Sequence, residues 1–303
     1  GLDGLAAPLV GADGAVVTDA TVGGRRFWKC VGSGNDFIFL DARAAGAGPD
    51  PLEAPASIAA LCATHLGVGA DGVVFVAPPI EPDTALAIRY YNRDGSRASF
   101  CGNASLCATQ MAVELGLAPR HVTFGLTTDA GTLAVRAADG HDAAIELTAP
   151  GAVRVDTGDP LAAGEQRIGY ALAGVPHVVV LVEDATRLPI AERGAALRAA
   201  TPDRPAGANV NFVARATGAD ADVAPWVIRT FERGVEAETL ACGSGNVAAA
   251  TLLAAWGLVE SGHQIAMRTA SGRVLAVTAH AHDRVELAGE GRIVFDGRLR
   301  AVR

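Results

Sequence analysis

The chain has 303 residues, of which 50% are hydrophobic and 19% charged, a globular composition with material for about two domains. A net charge of −8 speaks against a nucleic-acid partner, because phosphate binding needs a basic face. No apolar run reaches the roughly 18 residues of a membrane-spanning helix. Lys29 is the only lysine among the 25 basic residues, so a pyridoxal Schiff base has a single candidate anchor.

Residues 1–24 are rich in Gly, Ala and Asp and read as a flexible leader without chemistry. No basic segment followed by an apolar one opens the chain, so a secretory signal is not expected. Structure is expected from Arg26-Phe27-Trp28-Lys29-Cys30, followed by a short strand over Phe37–Leu40 and helical spacing over Ser57–His65. Gly72–Val76 and Leu86–Tyr91 have the β-branched and aromatic content of strands. Leu106–Leu117 reads as a helix stopped by Gly116 and Pro119.

The pattern then repeats. Ile88-Arg89-Tyr90-Tyr91-Asn92-Arg93 leads to Cys101-Gly102-Asn103 and an Ala-rich helix. Ile228-Arg229-Thr230-Phe231-Glu232-Arg233 leads to Cys242-Gly243-Ser244-Gly245 and another. Gly131 and Gly272 each lie 30 residues beyond their cysteine (131 − 101 and 272 − 242). Two copies imply a duplicated domain and not a solenoid. Alternating strands with one central helix per half imply an α+β fold of two pseudo-symmetric domains, each a curved mixed sheet wrapped around its helix. The breaker cluster Ala149-Pro150-Gly151 marks the junction. The expected division is 25–149 plus 290–303 for the first half and 150–289 for the second.

The five cysteines match neither a disulfide framework nor zinc spacing. Free thiols suit a reducing cytoplasm. Cys101 and Cys242 stand apart because each precedes small residues at a strand-loop-helix junction. There the macrodipole favours thiolate, and first-turn amides can face a ligand. One such cysteine suits a nucleophile. A matched pair across a domain interface suits a base and an acid on opposite faces of one carbon. Carbanion character next to a carboxylate would then be stabilised by amide dipoles at the two helix N-termini, with domain closure expelling water.

Several motifs carry a resemblance. Gly32-Ser33-Gly34-Asn35-Asp36-Phe37, Asn92-Arg93-Asp94-Gly95-Ser96, Phe100-Cys101-Gly102-Asn103, Gly174-Val175-Pro176-His177, Gly207-Ala208-Asn209-Val210-Asn211 and Glu232-Arg233-Gly234 through Cys242-Gly243-Ser244-Gly245 resemble those of diaminopimelate epimerases. The resemblance runs from about Phe27 to the end. It implies a cofactor-independent two-base epimerase in which Cys101 and Cys242 are the catalytic pair, with His177 and Glu232 near the thiols. It assigns substrate contacts to Asn35, Asn92, Gly102, Asn103, Val175, Asn209, Arg233, Gly243 and Ser244. It also implies a last strand, Arg292–Leu299, that returns to the first half.

Three positions depart from the family pattern: Val175 replaces a usual Asn, Leu106 a common Arg, and one residue is extra between Arg233 and Glu238. These bear on the substrate and not on the thiols, since a Val side chain neither donates nor accepts. The expected function is therefore cytoplasmic epimerisation of a free amino acid, diaminopimelate first. The alternatives are a same-fold racemase of histidine or a short diamino acid and, farther off, a non-catalytic amino-acid-binding protein. No cofactor, metal, nucleic acid or membrane partner is expected; a homodimer is the assembly considered. Gly67-Val68-Gly69-Ala70-Asp71-Gly72 fits a dinucleotide fingerprint but precedes its strand, the wrong order for that site. His280 and His282 lack a clear third ligand and read as solvated.

Overall fold

The computed structural model describes residues 23–45, 49–199, 201, 204–260 and 262–300. The expected leader, 1–24, lies outside them except for its last two residues. The chain divides into two compact units, Gly1–Ala144 with Gly291–Arg303, and Ile145–Glu290.

In the first unit the order is β1 (Arg26–Gly32), β2 (Asn35–Asp41), α1 (Pro55–Cys62), β3 (Gly72–Ala77), β4 (Thr84–Asn92) and β5 (Arg97–Ala98). Helix α2 (Gly102–Glu114), β6 (Phe124–Thr128) and β7 (Gly131–Ala137) follow. Two strands, β8 (Asp142–Thr148) and β9 (Gly151–Arg154), lead on. The second unit continues with β10 (Glu165–Ala173), β11 (Val175–Val182), α3 (Ile190–Arg198), β12 (Asn209–Arg215), β13 (Trp226–Glu232) and β14 (Ala237–Thr239). Helix α4 (Gly243–Ala255), β15 (Ile265–Arg268), β16 (Val274–His280) and the first part of β17 (Arg284–Arg298) complete it, the rest of β17 belonging to the first unit.

The strand pairings of the two units match one for one. β1–β2 is antiparallel, β2–β3 parallel, β3–β4 and β4–β5 antiparallel, β4–β6 parallel and β6–β7 antiparallel. The same sequence of senses runs through β10–β11, β11–β12, β12–β13, β13–β14, β13–β15 and β15–β16. This is the mixed α+β sheet implied by the repeat. β17 is longer than the expected 292–299 because it pairs with β16 through its first part and with β1 through its second.

Central strands read as continuous apolar runs because both faces are covered. Ile38 and Leu40 pack with Ile58 and Leu61 of α1, which puts the alternate residues, Phe37 and Phe39, on the other face. In the second unit Ile190 and Leu197 of α3 pack with Val178, Val180 and Phe212. α2 and α4 sit inside their sheets, packing on β1, β4, β6 and β7 and on β10, β11, β12 and β16 respectively. Every α2 residue from Asn103 to Ala112 is buried, so small residues replace an amphipathic stripe.

That explains why the expected start of this helix, Leu106, lies four residues too late. Periodicity cannot mark the polar and small first turn Gly102-Asn103-Ala104-Ser105, whose last three residues are as buried as the apolar part. Cys101 and Cys242 are accordingly N-cap residues with extended backbone and not first-turn residues. The rejected fingerprint also has a packing explanation, since a Cβ at Gly67 would meet Ala60 O at 2.1 Å at the end of α1.

Two glycines fix the position of α2. Gly32 of β1 and Gly291 of β17 are directly opposed in the ladder. A Cβ on Gly32 would meet Asn103 O at 2.4 Å, and one on Gly291 would meet Leu106 O at 2.3 Å. The obstructing atoms are helix backbone, which cannot rotate away. We expect Gly291→Ala to destabilise the protein by about 1–3 kcal/mol, read as a lower urea midpoint with unchanged m-value.

Candidate active site

The two candidate thiols occupy equivalent places. Cys101 caps α2 with φ −145° and ψ 117°, and Cys242 caps α4 with φ −134° and ψ 108°. Each carbonyl is held twice by the residue four positions on. Ser105 donates its N–H and its hydroxyl to Cys101 O, both at 2.9 Å. Asn246 donates its N–H at 3.0 Å and its side-chain amide at 2.8 Å to Cys242 O. Neither cysteine side chain takes a bond from the first-turn amides. Ser, Thr, Asp or Asn normally fills this position and consumes such a donor, at a benefit of roughly 1 kcal/mol. A weak cap at both helices leaves their first-turn donors to a ligand.

In the first unit Asn103 Nδ2 donates to Asn35 Oδ1 at 2.7 Å, and Asn35 Nδ2 donates to Asp71 Oδ2 at 3.0 Å. Asn103 Oδ1 is buried without a hydrogen-bond partner among the described residues. Asn35 follows a tight turn in which Ser33 and Gly34 have φ of 53° and 117°. Asn92 is tied into its own turn, accepting from Tyr90 Oη and donating to Ser96 Oγ, both at 3.0 Å. Lys29 is buried, 2.6 Å from Asp36 Oδ2, and also donates to Gly69 O.

In the second unit His177 and Asn209 are directly paired on parallel β11 and β12. Asn209 Oδ1 accepts from the Arg233 N–H at 2.8 Å, so its amide N–H₂ is what it can present to a ligand. Arg233 donates from Nη1 to Ala206 O at 3.0 Å. Glu232 ends β13, half-buried. The residue extra to the family pattern falls in the turn after it, where the Glu236 N–H donates to Glu232 O at 2.8 Å. Val175 opens β11 beside Gly174 (φ 71°), and its side chain is exposed. Gly243 is buried at the start of α4, and Ser244 lies between two groups: its Oγ is 3.1 Å from His177 Nε2 and 3.5 Å from Cys242 Sγ.

His177 is fully buried, and loss of hydration, aided by the charge of Arg233, pushes its pKa from 6.5 down to about 3. Behind it lies Asn211, 3.2 Å from Nδ1, a residue of the Gly207–Asn211 motif to which the resemblance assigns no contact. The signal was present, because residues two apart on a strand share a face and Asn211 interrupts an apolar run. The other thiols differ in kind: burial raises Cys30 and pushes Cys62 up to about 11, and Cys107 is buried within α2. Among the described residues no group of three His, Cys, Asp or Glu could hold a metal, and no helix is long and apolar enough to cross a membrane.

The family model for diaminopimelate epimerase matches residues 27–161 and 169–294. The chain belongs to the diaminopimelate epimerase family. It is 42% identical to a diaminopimelate epimerase from Gemmatimonas aurantiaca, over 90% of this chain and 98% of the relative. It is 37% identical to one from Aquifex aeolicus, over 90% and 97%. Solved structures share the fold at lower identity. A Bacillus anthracis phenazine biosynthesis protein of the PhzF family aligns with a TM-score of 0.68 at 16% identity, covering 91% of this chain and 98% of that one. A probable proline racemase from Agrobacterium radiobacter aligns at 0.61 and 19%, covering 92% and 93%. The family fold thus accounts for both central helices and the matched strand pairings.

The buried neutral histidine gives a signed prediction. Folded His177 stays neutral while the unfolded chain gains a proton below pH 6.5, so this contribution is complete above that value and is lost as pH falls toward 3. Urea unfolding of wild type and His177→Gln should therefore converge by about 2 kcal/mol between pH 7 and pH 5, with wild type losing the greater share.

Proposed function

We propose that the protein epimerises the α-carbon of diaminopimelate, with Cys101 and Cys242 as the two proton carriers. The observation that carries this reading is a cysteine at the N-cap of each buried helix, where a better capping residue would be expected on stability alone. The relatives' shared activity supports diaminopimelate as substrate. Lys29, buried and ion-paired to Asp36, is poorly suited to a Schiff base, which favours chemistry by fixed dipoles.

In the forward direction one thiolate removes the α-proton. The Cα–H bond breaks, its electron pair delocalises into the α-carboxylate, and an S–H bond forms. The other thiol then delivers its proton to the opposite face of the same carbon, becoming the thiolate. One turnover leaves the protons exchanged between the sulfurs, so the reverse reaction starts from the form that the forward reaction leaves. Amides of Gly102 and Asn103, and of Gly243 and Ser244, would bind the carboxylate more tightly as charge grows on it. Asn35, Asn92, Asn209 and Arg233 are the groups we assign to the distal ammonium and carboxylate. Val175 offers that chain an apolar contact only. His177 and Glu232 belong beside the thiols, with His177 acting as a neutral hydrogen-bond donor.

Epimerisation and α-proton exchange of LL-diaminopimelate in D₂O test this reading. Cys101→Ala and Cys242→Ala should each lose epimerisation by at least about 10²–10⁴-fold, since each face needs its own carrier. Near-wild-type turnover in either variant would refute the two-thiol assignment. Arg233→Met should raise KM for diaminopimelate by about ten- to a hundredfold, the worth of a hydrogen bond to a charged group, with a smaller effect on kcat.

A further inference from the structure

Behind Cys242 the second unit carries a line of polar side chains. Thr230 Oγ1 donates to Asn211 Oδ1 at 2.9 Å, and Asn211 Nδ2 donates to the Val178 carbonyl at 3.1 Å. A carbonyl can only accept, so the second bond fixes which end of the carboxamide is nitrogen. That nitrogen lies 3.2 Å from His177 Nδ1, and its remaining hydrogen makes Nδ1 an acceptor. A neutral imidazole with a bare Nδ1 carries its proton on Nε2, which is the atom 3.1 Å from Ser244 Oγ. Ser244 then accepts from the ring and has its own proton to give to Cys242 Sγ, 3.5 Å away.

We propose that Asn211, braced by Thr230, is a positioning residue that fixes His177 as the Nε2–H tautomer, so that Ser244 directs its hydroxyl proton at the sulfur of Cys242. A donor aimed at that sulfur stabilises the thiolate more than the thiol. Burial keeps the ring neutral throughout, so it orients Ser244 without itself exchanging protons.

The duplicate half shows that the fold does not require these polar groups. The strand registers align His177 with Phe37, Asn211 with Val74 and Thr230 with Tyr90. There Phe37 and Tyr90 meet edge to face at 5.9 Å, an apolar solution of the same packing problem. Gly245 belongs to the polar arrangement as well, since a Cβ there would lie 2.3 Å from Asn211 Oδ1.

The inference rests on the reading of Cys242 as a catalytic group, and its test separates the two. Nitrogen-15 NMR of the full chain, with the ring assigned through His177→Gln, should find the proton on Nε2 and Nδ1 bare. A proton on Nδ1 would overturn the proposal, and this measurement needs no variant at Asn211. In Asn211→Asp the carboxylate can only accept, which draws the proton to Nδ1 and leaves Nε2 to take the Ser244 proton. Alkylation of Cys242 by iodoacetamide, resolved by peptide mass spectrometry at fixed pH, should then slow by about ten- to a hundredfold. The kcat for diaminopimelate should fall with it at nearly constant KM. Thr230→Val should produce a smaller change in the same direction, and Ser244→Ala should match Asn211→Asp without adding to it. A shifted tautomer with unchanged Cys242 alkylation would overturn the link to the sulfur. Cys242→Ala retaining epimerisation would instead remove the catalytic reading and leave the tautomer result standing.

Discussion

A helix enclosed by its own sheet must bring its backbone close to the strands around it, because no solvent-facing side exists to absorb bulk. In this protein that constraint selects the small residues of α2 and α4 and the opposed glycines Gly32 and Gly291 that admit α2. It also determines where the chemistry can sit. The flanks of such a helix are closed by packing, so its N-terminus is the end at which oriented N–H groups can still meet a small molecule. Close approach at Asn103 O and Leu106 O holds that terminus against β1 and β17 and, with it, the sulfur of Cys101.

The thiols fall into two groups by their place in the fold. Cys30 and Cys62 lie in apolar packing, and desolvation is the largest influence on each, which keeps them protonated and inert. Cys101 and Cys242 stand at helix N-caps, with Ser105 and Asn246 fixing the cysteine carbonyls from the next turn. Stability and function conflict at these two positions. A serine or aspartate would cap either helix better, and would remove both the sulfur proposed as a proton carrier and an amide donor. Local inconsistency of this kind marks a functional site more reliably than the presence of a cysteine does.

Much of this was legible in the sequence because duplication supplies an internal control. The two Cys-Gly motifs and the glycines 30 residues beyond them align the halves, and the strand senses agree pair by pair. The first turn of α2 was not legible, since a helix buried on every side has no amphipathic period to read. Asn211 was legible only in part: it lies within a recognised motif and shares a strand face with Asn209, but its partners are not visible in the sequence. Its importance depends on Thr230, nineteen positions away, and on the carbonyl of Val178 on the neighbouring strand. Pairings of that kind are set by sheet register and not by local spacing. The bonds from Asn92 to Tyr90 and Ser96 are visible only in side-chain geometry.

The two halves kept one backbone and diverged in what surrounds each sulfur. The first unit builds an Asn103–Asn35–Asp71 chain beside its helix cap and fills the position behind it with Phe37 and Tyr90. The second builds Ser244–His177–Asn211–Thr230. The two-thiol reaction proposed above would require proton affinities that are similar between the sulfurs, because each turnover would leave the enzyme in the protonation state from which the reverse reaction begins. Identical surroundings would meet that requirement only for a substrate that looks the same from both faces. An amino acid with a polar distal end does not, since its far group perturbs one side more than the other. Different networks around equivalent cysteines allow that imbalance to be offset while the helices, their caps and the sheet registers stay duplicated.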